Sequence, residues 1–261
     1  MIAKASKGDL LYISAEQPLA ELCSFSRIQK GLWSGKSLPQ RLACAPTKKG
    51  NVFVATLDDY ILEYAHGGTT PIATLDDPGY YSEGCAVDPT TGNVAVYRKA
   101  KGTPQLYSDP DFYTYWLCGY DSTGNLFVDG GGGSAWLAEL PKASRTFTNF
   151  TVNPGIESPS GVQWDGMYLA IGDGNHRGLG GIYRVSVSGS TVTIVDHVSM
   201  PGPRSHRPRP IGQFWIQGDT VIGPSVLTVG FWPYPRGGHP TEYLHGFGAT
   251  ELNGSAISSA P

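Results

Sequence analysis

The chain has 261 residues, a formal net charge of −3 and a pI near 6.0. That balance gives no global pull toward nucleic acid or an anionic membrane surface, so no nucleic-acid partner is expected. Without an apolar run of about 18 residues, no bilayer-spanning helix is expected either.

The 35 Gly and 20 Pro are spread between β-branched and aromatic residues along the whole chain, a composition for many short strands joined by turns, with almost no helix. The first predicted element is KGDLLYIS, where an apolar run follows Gly8. The second unit reads as four strands, RLACAP (41–46), NVFVATL (51–57), YILEYAH (60–66) and TPIATL (70–75). GCAVDPTTGNVAVYRKA (84–100) repeats the strand, turn and strand of that unit, but the next repeat arrives early, so the third unit is expected to lack one strand. LCGYD, NLFVDG, AWLAEL and FTNFTVN restore the four-strand order from residue 117. SGVQWD, MYLAIGD, GIYRVSV and TVTIVDHV follow from residue 160, and GQFWIQ, TVIGPSV, TVGFWPYP and TEYLHG from residue 212.

Gly8, Gly50, Gly92, Gly124, Gly166 and Gly218 occupy the first turn of each unit, at intervals of 42, 42, 32, 42 and 52 residues. A period of about 40–45 residues with several strands per unit is the pattern of propeller blades, small sheets that bury their faces only against one another. The expected fold is an all-β, six-bladed propeller forming a single domain over 1–261. The first unit lacks an inner strand and GATELNGSAIS (248–258) is left over, so the C-terminal strand is expected to close the first blade.

Cys23, Cys44, Cys85 and Cys118 are too dispersed for a disulfide framework and form no CxxC pair, so buried free thiols are expected. The N-terminal MIAKASKGDLLYIS lacks the apolar core of a signal peptide. That composition fits a cytoplasmic protein, or a secreted or periplasmic one whose leader has been removed.

GCAVDPTTGN, YLAIGDGNHRGLGGIYRV and GNVFVATLDDYILEYA resemble NHL repeats. EYAHGGTTPIATLDDPGYY, CGYDSTGNLFVDG, SPSGVQWDGMYLAIGD and GQFWIQGDTVIGP are similar to a group of uncharacterised bacterial propeller proteins, NHL-like or streptogramin-lyase-like, over most of residues 40–250. The resemblance speaks for fold and is nearly silent on activity, because one propeller hosts many chemistries. In gluconolactonase-like six-bladed propellers, a Glu in an EGP motif, an Asn in a PNG motif and an Asp closing a YVAD strand help hold a divalent metal. By that resemblance Glu83 (SEGCA), Ser160 (SPSGV) and Asp173 (LAIGD) are the metal candidates, with Ca²⁺ the ion implied. Serine at the Asn position is the departure, since a hydroxyl is a poorer ligand for a hard cation than an amide carbonyl. The residues alone favour a loop role for Glu83 and Glu157, satisfying backbone donors, and a turn role for Asp173, and no cofactor is expected.

Asp58, Asp59, Asp129 and Asp173 recur after the second strand of their units, and recurrence at the blade period points to a structural task. DGGGGS (129–134) lacks the Lys-Ser/Thr of a phosphate loop, no GxSxG elbow is present, and the six His form no metal-spaced pair. GPRSHRPRP (202–210) sets Arg204, Arg207 and Arg209 in a proline-stiffened loop suited either to an anionic ligand or to solvent. Tyr80, Tyr81, Phe112, Tyr113, Tyr115 and Trp116 precede inner strands, where aromatic faces can rim the channel. The candidate binding residues are Tyr80, Tyr81, Tyr113, Trp116, Arg204 and Arg207. The expected function is non-catalytic binding of a small ligand, glycan or protein partner at the channel mouth by a monomer. The alternative is a metal-dependent lactonase or lyase.

Overall fold

The computed structural model describes residues 9–16, 23–26, 41–56, 60–68, 70–78, 84–91, 93, 101–131, 136–150, 156, 158–174, 180–202, 212–225, 227–245 and 251–259. All of its regular structure there is β, in a propeller arrangement; no helix is present among the described residues, hence none long and apolar enough to cross a membrane.

Four sheets have four strands each. They are β3 to β6 (Arg41–Pro46, Val52–Thr56, Tyr60–Tyr64, Pro71–Asp76), β7 to β10 (Thr114–Tyr120, Leu126–Gly131, Leu137–Leu140, Thr148–Asn149), β11 to β14 (Pro159–Trp164, Leu169–Asp173, Gly181–Ser188, Thr191–Ser199) and β15 to β18 (Trp215–Gln217, Thr220–Ser225, Thr228–Pro233, Glu242–Leu244). Each is an antiparallel meander, as the strand spacing predicts. A fifth, three-stranded sheet has the order β19-β1-β2, where β1 is Leu10–Glu16, β2 Cys23–Ser26 and β19 Glu251–Ser258. The C-terminal strand therefore closes the N-terminal sheet, pairing from Leu10 with Ser258 to Glu16 with Glu251. Of the third unit, residues 94–100, where its second strand is expected, lie outside the described residues, as do Gly8 and Gly92.

The repeated turn has a common physical basis. Gly50, Gly124, Gly166 and Gly218 take positive φ values of 82°, 93°, 101° and 60°. Glycine enters that region without the steric penalty a Cβ brings. A polar side chain opens several of these turns: Asp121 Oδ1 accepts from the amides of Thr123, Gly124 and Asn125 at 2.7–2.9 Å, and Asp165 Oδ1 from those of Met167 and Tyr168.

The strands are apolar on both faces because a blade packs on both sides. On β1, Leu11 and Ile13 join Ile222 and Phe231 of the β15–β18 blade, while Leu10 and Tyr12 join Val52 and Val54 of the β3–β6 blade. Ala170, Ile182 and Val198 pack against Phe214, Val221 and Trp232, and Phe127 and Leu137 against Leu169 and Ile171. Residues 84–88 stand between the β3–β6 and β7–β10 blades, with Cys85 packed on Phe53 and Ile61. A Cβ on Gly84 would lie 3.2 Å from the Leu117 Cα. Inner strands also approach closely at the axis: a Cβ on Gly119 would fall 2.2 Å from the Val162 carbonyl oxygen, too close for any other residue.

One buried ion pair links the last two blades. The Asp165 carboxylate, with its side chain 1% exposed, accepts at Oδ2 from Arg184 Nε and Tyr234 Oη, both at 2.7 Å. The Arg184 guanidinium lies over the Tyr168 and Tyr234 rings. Burial acts to raise the Asp165 carboxyl, but the bonds from Tyr234, the two turn amides and Arg184 more than offset it and hold it below the ordinary 3.8.

Deleting residues 248–261 should lower Tm by at least about 10 °C, because it removes a whole buried strand and leaves β1 with an unpaired edge; calorimetry showing an unchanged melt would refute the closure. The depressed Asp165 carboxyl contributes stability that is present above the unfolded value near 3.8 and lost as pH falls through the lower folded value. Tyr234→Phe should therefore cost about 1 kcal/mol at pH 7 in urea unfolding, and its deficit relative to the parent should shrink below about pH 4.

Candidate functional site

The inner strands converge on an axial cavity of about 790 Å³. It lies at the end of the sheets that carries the first hairpin turns. Its walls come from the turn after β3, from residues 85–91, and from the ends of β7 and β11 and the start of β15.

Trp164, Trp215 and Tyr120 are half-buried there. Trp215 packs against the apolar clusters on either side of β1, and Tyr120 against the cluster containing Leu126 and Leu140. Trp164 belongs to no such cluster among the described residues, and its indole N–H has no acceptor among them. Beside it, Gln163 is fixed across the blade boundary: its side-chain oxygen accepts from the Ile216 amide at 2.7 Å and its NH₂ donates to the Ile216 carbonyl at 3.2 Å. Lys48 and Lys49 stand exposed at the rim.

Apart from the exposed Lys48 and Lys49, the ionisable groups described in this cavity are engaged or held neutral. Glu63 accepts from Asn51 Nδ2 at 2.6 Å. Asp88 is buried; burial acts to raise its carboxyl, but the Thr91 hydroxyl and the Thr90 amide and hydroxyl more than offset it and hold it low. Both Asp121 oxygens serve its turn, Oδ2 accepting from Asn125 Nδ2 at 2.9 Å. Burial pushes the Cys118 thiol up, as do nearby Cys85 and Asp129, and burial pushes the Tyr120 phenol up. Both remain protonated at neutral pH. Cys85 is buried and donates to the Phe53 carbonyl. Cys85 and Cys118 are free, as expected; the side chains of Cys23 and Cys44 lie outside the described residues.

The recurring aspartates do a structural task at the opposite end. β3, β7 and β11 each carry a register irregularity near their start, between Arg41 and Cys44, Tyr115 and Cys118, and Pro159 and Val162. Such a bulge turns amides away from the ladder. Asp129, fully buried, captures two of them: Oδ1 accepts from Leu117 N at 2.7 Å within its own blade, and Oδ2 from Gly161 N at 2.8 Å in the next. Asp173 accepts from Ser158 N at 3.0 Å. Asp58 and Asp59 lie outside the described residues.

The sequence candidates among the described residues fall at this second end. Tyr113 is 86% exposed, and Trp116 packs edge-on against Trp136, itself 39% exposed. Neither lines the axial cavity. Phe112 and Tyr115 stack at 5.2 Å, and the Tyr115 hydroxyl accepts from the Asp109 amide, so these rings brace the lead-in to β7. Tyr80, Tyr81, Glu83, Arg204 and Arg207 lie outside the described residues. Of the metal candidates, Asp173 is committed at Oδ1 to Ser158, and the Ser160 hydroxyl is buried without a partner among the described residues. No three His, Cys, Asp or Glu side chains converge as a metal shell among the described residues. The pair Ser160 and Asp173 is thus short of a complete hard-cation shell.

Sequence reasoning missed Trp164, Gln163 and Glu139. Glu139, on β9, is half-buried in a groove between the β7–β10 and β11–β14 blades. Burial, with Asp121 nearby, raises its carboxyl. Compared with known proteins, the chain matches no family model and no curated protein.

Replacing Asp129 by Ala should destabilise the protein by about 3 kcal/mol, since it strands two buried amides. Asp129→Asn, which retains one accepting oxygen, should cost about half as much. Equal losses for the two in denaturant titrations would remove the two-amide bridge as the cause.

Proposed function

We propose that this chain is a non-catalytic binding propeller that takes its ligand in the axial cavity at the hairpin end. The observation that carries this reading is the cavity itself, about 790 Å³ at the convergence of the inner strands, with half-buried aromatic rings beside amides. A concave, mixed apolar and polar site at a point of convergence is the usual form of a small-molecule site. The chemistry of the lining favours holding over reacting. Its carboxylates at Glu63, Asp88 and Asp121 are bonded to neighbouring side chains and turn amides, and its Cys118 thiol and Tyr120 phenol are held protonated. General acid–base work needs a group poised near the working pH and within reach of substrate.

The same reading takes the ring as six NHL-like units in one domain. Support comes from the six turn motifs of the sequence, the β19-β1-β2 closure, and the seating of residues 84–88 between two complete blades. With six units, the third is the one shortened by ten residues.

The test is a thermal-shift and tryptophan-fluorescence screen of the whole chain against a metabolite and glycan library, repeated on Trp164→Ala and Trp215→Ala. A ligand that shifts both signals should bind these variants at least roughly tenfold more weakly. A ligand whose affinity is unchanged in both variants would move the site elsewhere, toward the Trp116 and Trp136 face.

A further inference from the structure

The axial cavity does not end at its own rim. A groove of about 660 Å³ runs between the β7–β10 and β11–β14 blades, and a smaller recess of about 320 Å³ lies between the Asp88 turn and the β7–β10 blade. Trp164 and Asp121 line both the axial cavity and the larger groove; Tyr120, Asp88 and Thr91 line both the axial cavity and the smaller recess. The three recesses therefore adjoin across these residues and offer a candidate track over the hairpin end.

The larger groove has a distinctive set of partners to offer. At one end stands Trp164, half-buried, outside every apolar cluster and with its indole N–H unused among the described residues. Along the floor lies Glu139, half-buried, whose carboxylate receives no hydrogen bond among the described residues. Thr148, Ser186 and Ser190 add hydroxyls, and Met167, 65% exposed, adds an apolar edge. Among the described residues no basic side chain lines this groove, while Asp121 and Glu139 both do, so an anionic ligand is disfavoured. A purely apolar ligand would strip water from the carboxylate and hydroxyls and return nothing.

A sugar ring supplies both kinds of contact at once. Its C–H face stacks on an indole, and its vicinal hydroxyls donate to a planar carboxylate. A chain of rings, unlike a single ring, can occupy adjoining recesses. We propose that the protein binds a neutral linear oligosaccharide laid across the hairpin end, one ring on Trp164, the chain running along Glu139 in the larger groove and into the axial cavity toward Trp215. This rests on the axial binding reading and extends it to a ligand class and a direction. Because both Asp121 oxygens accept within its own turn, Glu139 is the one unengaged carboxylate of the groove among the described residues. Hydrolysis of a glycosidic bond ordinarily uses two, so the described lining favours holding a glycan over cutting it.

The experiment is isothermal titration of the whole chain with β1,4-gluco-, α1,4-gluco- and N-acetylchito-oligosaccharides of one to six residues. In one series, affinity should rise at least roughly tenfold from the monosaccharide to the hexasaccharide. Glu139→Gln should weaken the hexasaccharide roughly tenfold and leave the shortest binding member unchanged, and Trp164→Ala should weaken every member that binds. If a monosaccharide binds as tightly as its hexasaccharide and Glu139→Gln changes nothing, the extended track is wrong while the axial site stands. If no saccharide binds but another compound does so through Trp215, the ligand class is wrong and the axial reading survives. If the library as a whole leaves the fluorescence of Trp164 and Trp215 untouched, both fall together. Circular dichroism of each variant against the parent separates lost binding from lost folding.

Discussion

Everything else in this molecule depends on the seating of the C-terminal strand beside the N-terminal one. β19 is the inner strand of a sheet whose other members come from the opposite end of the chain, and it is bonded to a blade on each side. Toward the β15–β18 blade, the Ser255 hydroxyl donates to the Ile222 carbonyl at 2.9 Å, and the backbone of Gln213 exchanges bonds with Asn253 and Ser255 at 2.9 and 3.0 Å. Toward the β3–β6 blade, the Ser258 hydroxyl donates to the Gly50 carbonyl and accepts from His66 Nδ1. A hydroxyl has one proton; since it goes to Gly50, His66 must carry its own on Nδ1. Blades that bury apolar faces on both sides need a neighbour on both sides, so a ring with one gap would expose two such faces at once.

Closure also explains why the axis is a cavity with fixed walls. The inner strands are held at distances set by backbone contacts, glycines at 119 and 212 allowing a carbonyl to sit where a Cβ would be. Asp129 performs the same service at the bulged end, joining Leu117 and Gly161 through one buried carboxylate. A carboxylate accepting two amides is a charge-assisted bridge with defined geometry. With bridges at one end and hairpin turns at the other, side chains such as Gln163 and Trp164 are presented from a rigid scaffold, the arrangement that favours recognition of a ligand of fixed shape.

Much of the fold was legible in the sequence because it rests on local chemistry. A turn glycine at positive φ cannot be traded for another residue cheaply, so the motif survives in Gly50, Gly124, Gly166 and Gly218 and marks the blade period. The closing strand was legible for a related reason: a unit starting at its second strand leaves an unmatched strand at the far terminus. The role of the repeated aspartates was legible in kind but not in detail, because the bulges that present Leu117 and Gly161 to Asp129 carry no signature in composition. The axial cavity and the groove beside it were not legible. Tyr113 and Trp116 drew attention as aromatics before an inner strand, yet one faces solvent and the other packs on Trp136. Trp164 and Glu139 lie on different blades and line one groove only because those blades are neighbours, a fact no local pattern encodes.

The two ends of the ring divide labour for a physical reason. At the bulged end, amides released from the ladder must find acceptors, and buried carboxylates are spent satisfying them. At the hairpin end, several turns are satisfied by their own Asp or Thr, as in Asp121 with Thr123, Gly124 and Asn125, so side chains beyond those turns have fewer obligations. A site needs groups whose hydrogen-bonding capacity is unspent, because a donor or acceptor already bonded in the protein offers a ligand nothing beyond exchange. Glu139 and the Trp164 indole are such groups, and both sit at the hairpin end. The structural work of the repeated aspartates therefore accords with the site proposed at the opposite face, where burial and turn chemistry leave aromatic faces and, among the described residues, the Glu139 carboxylate open.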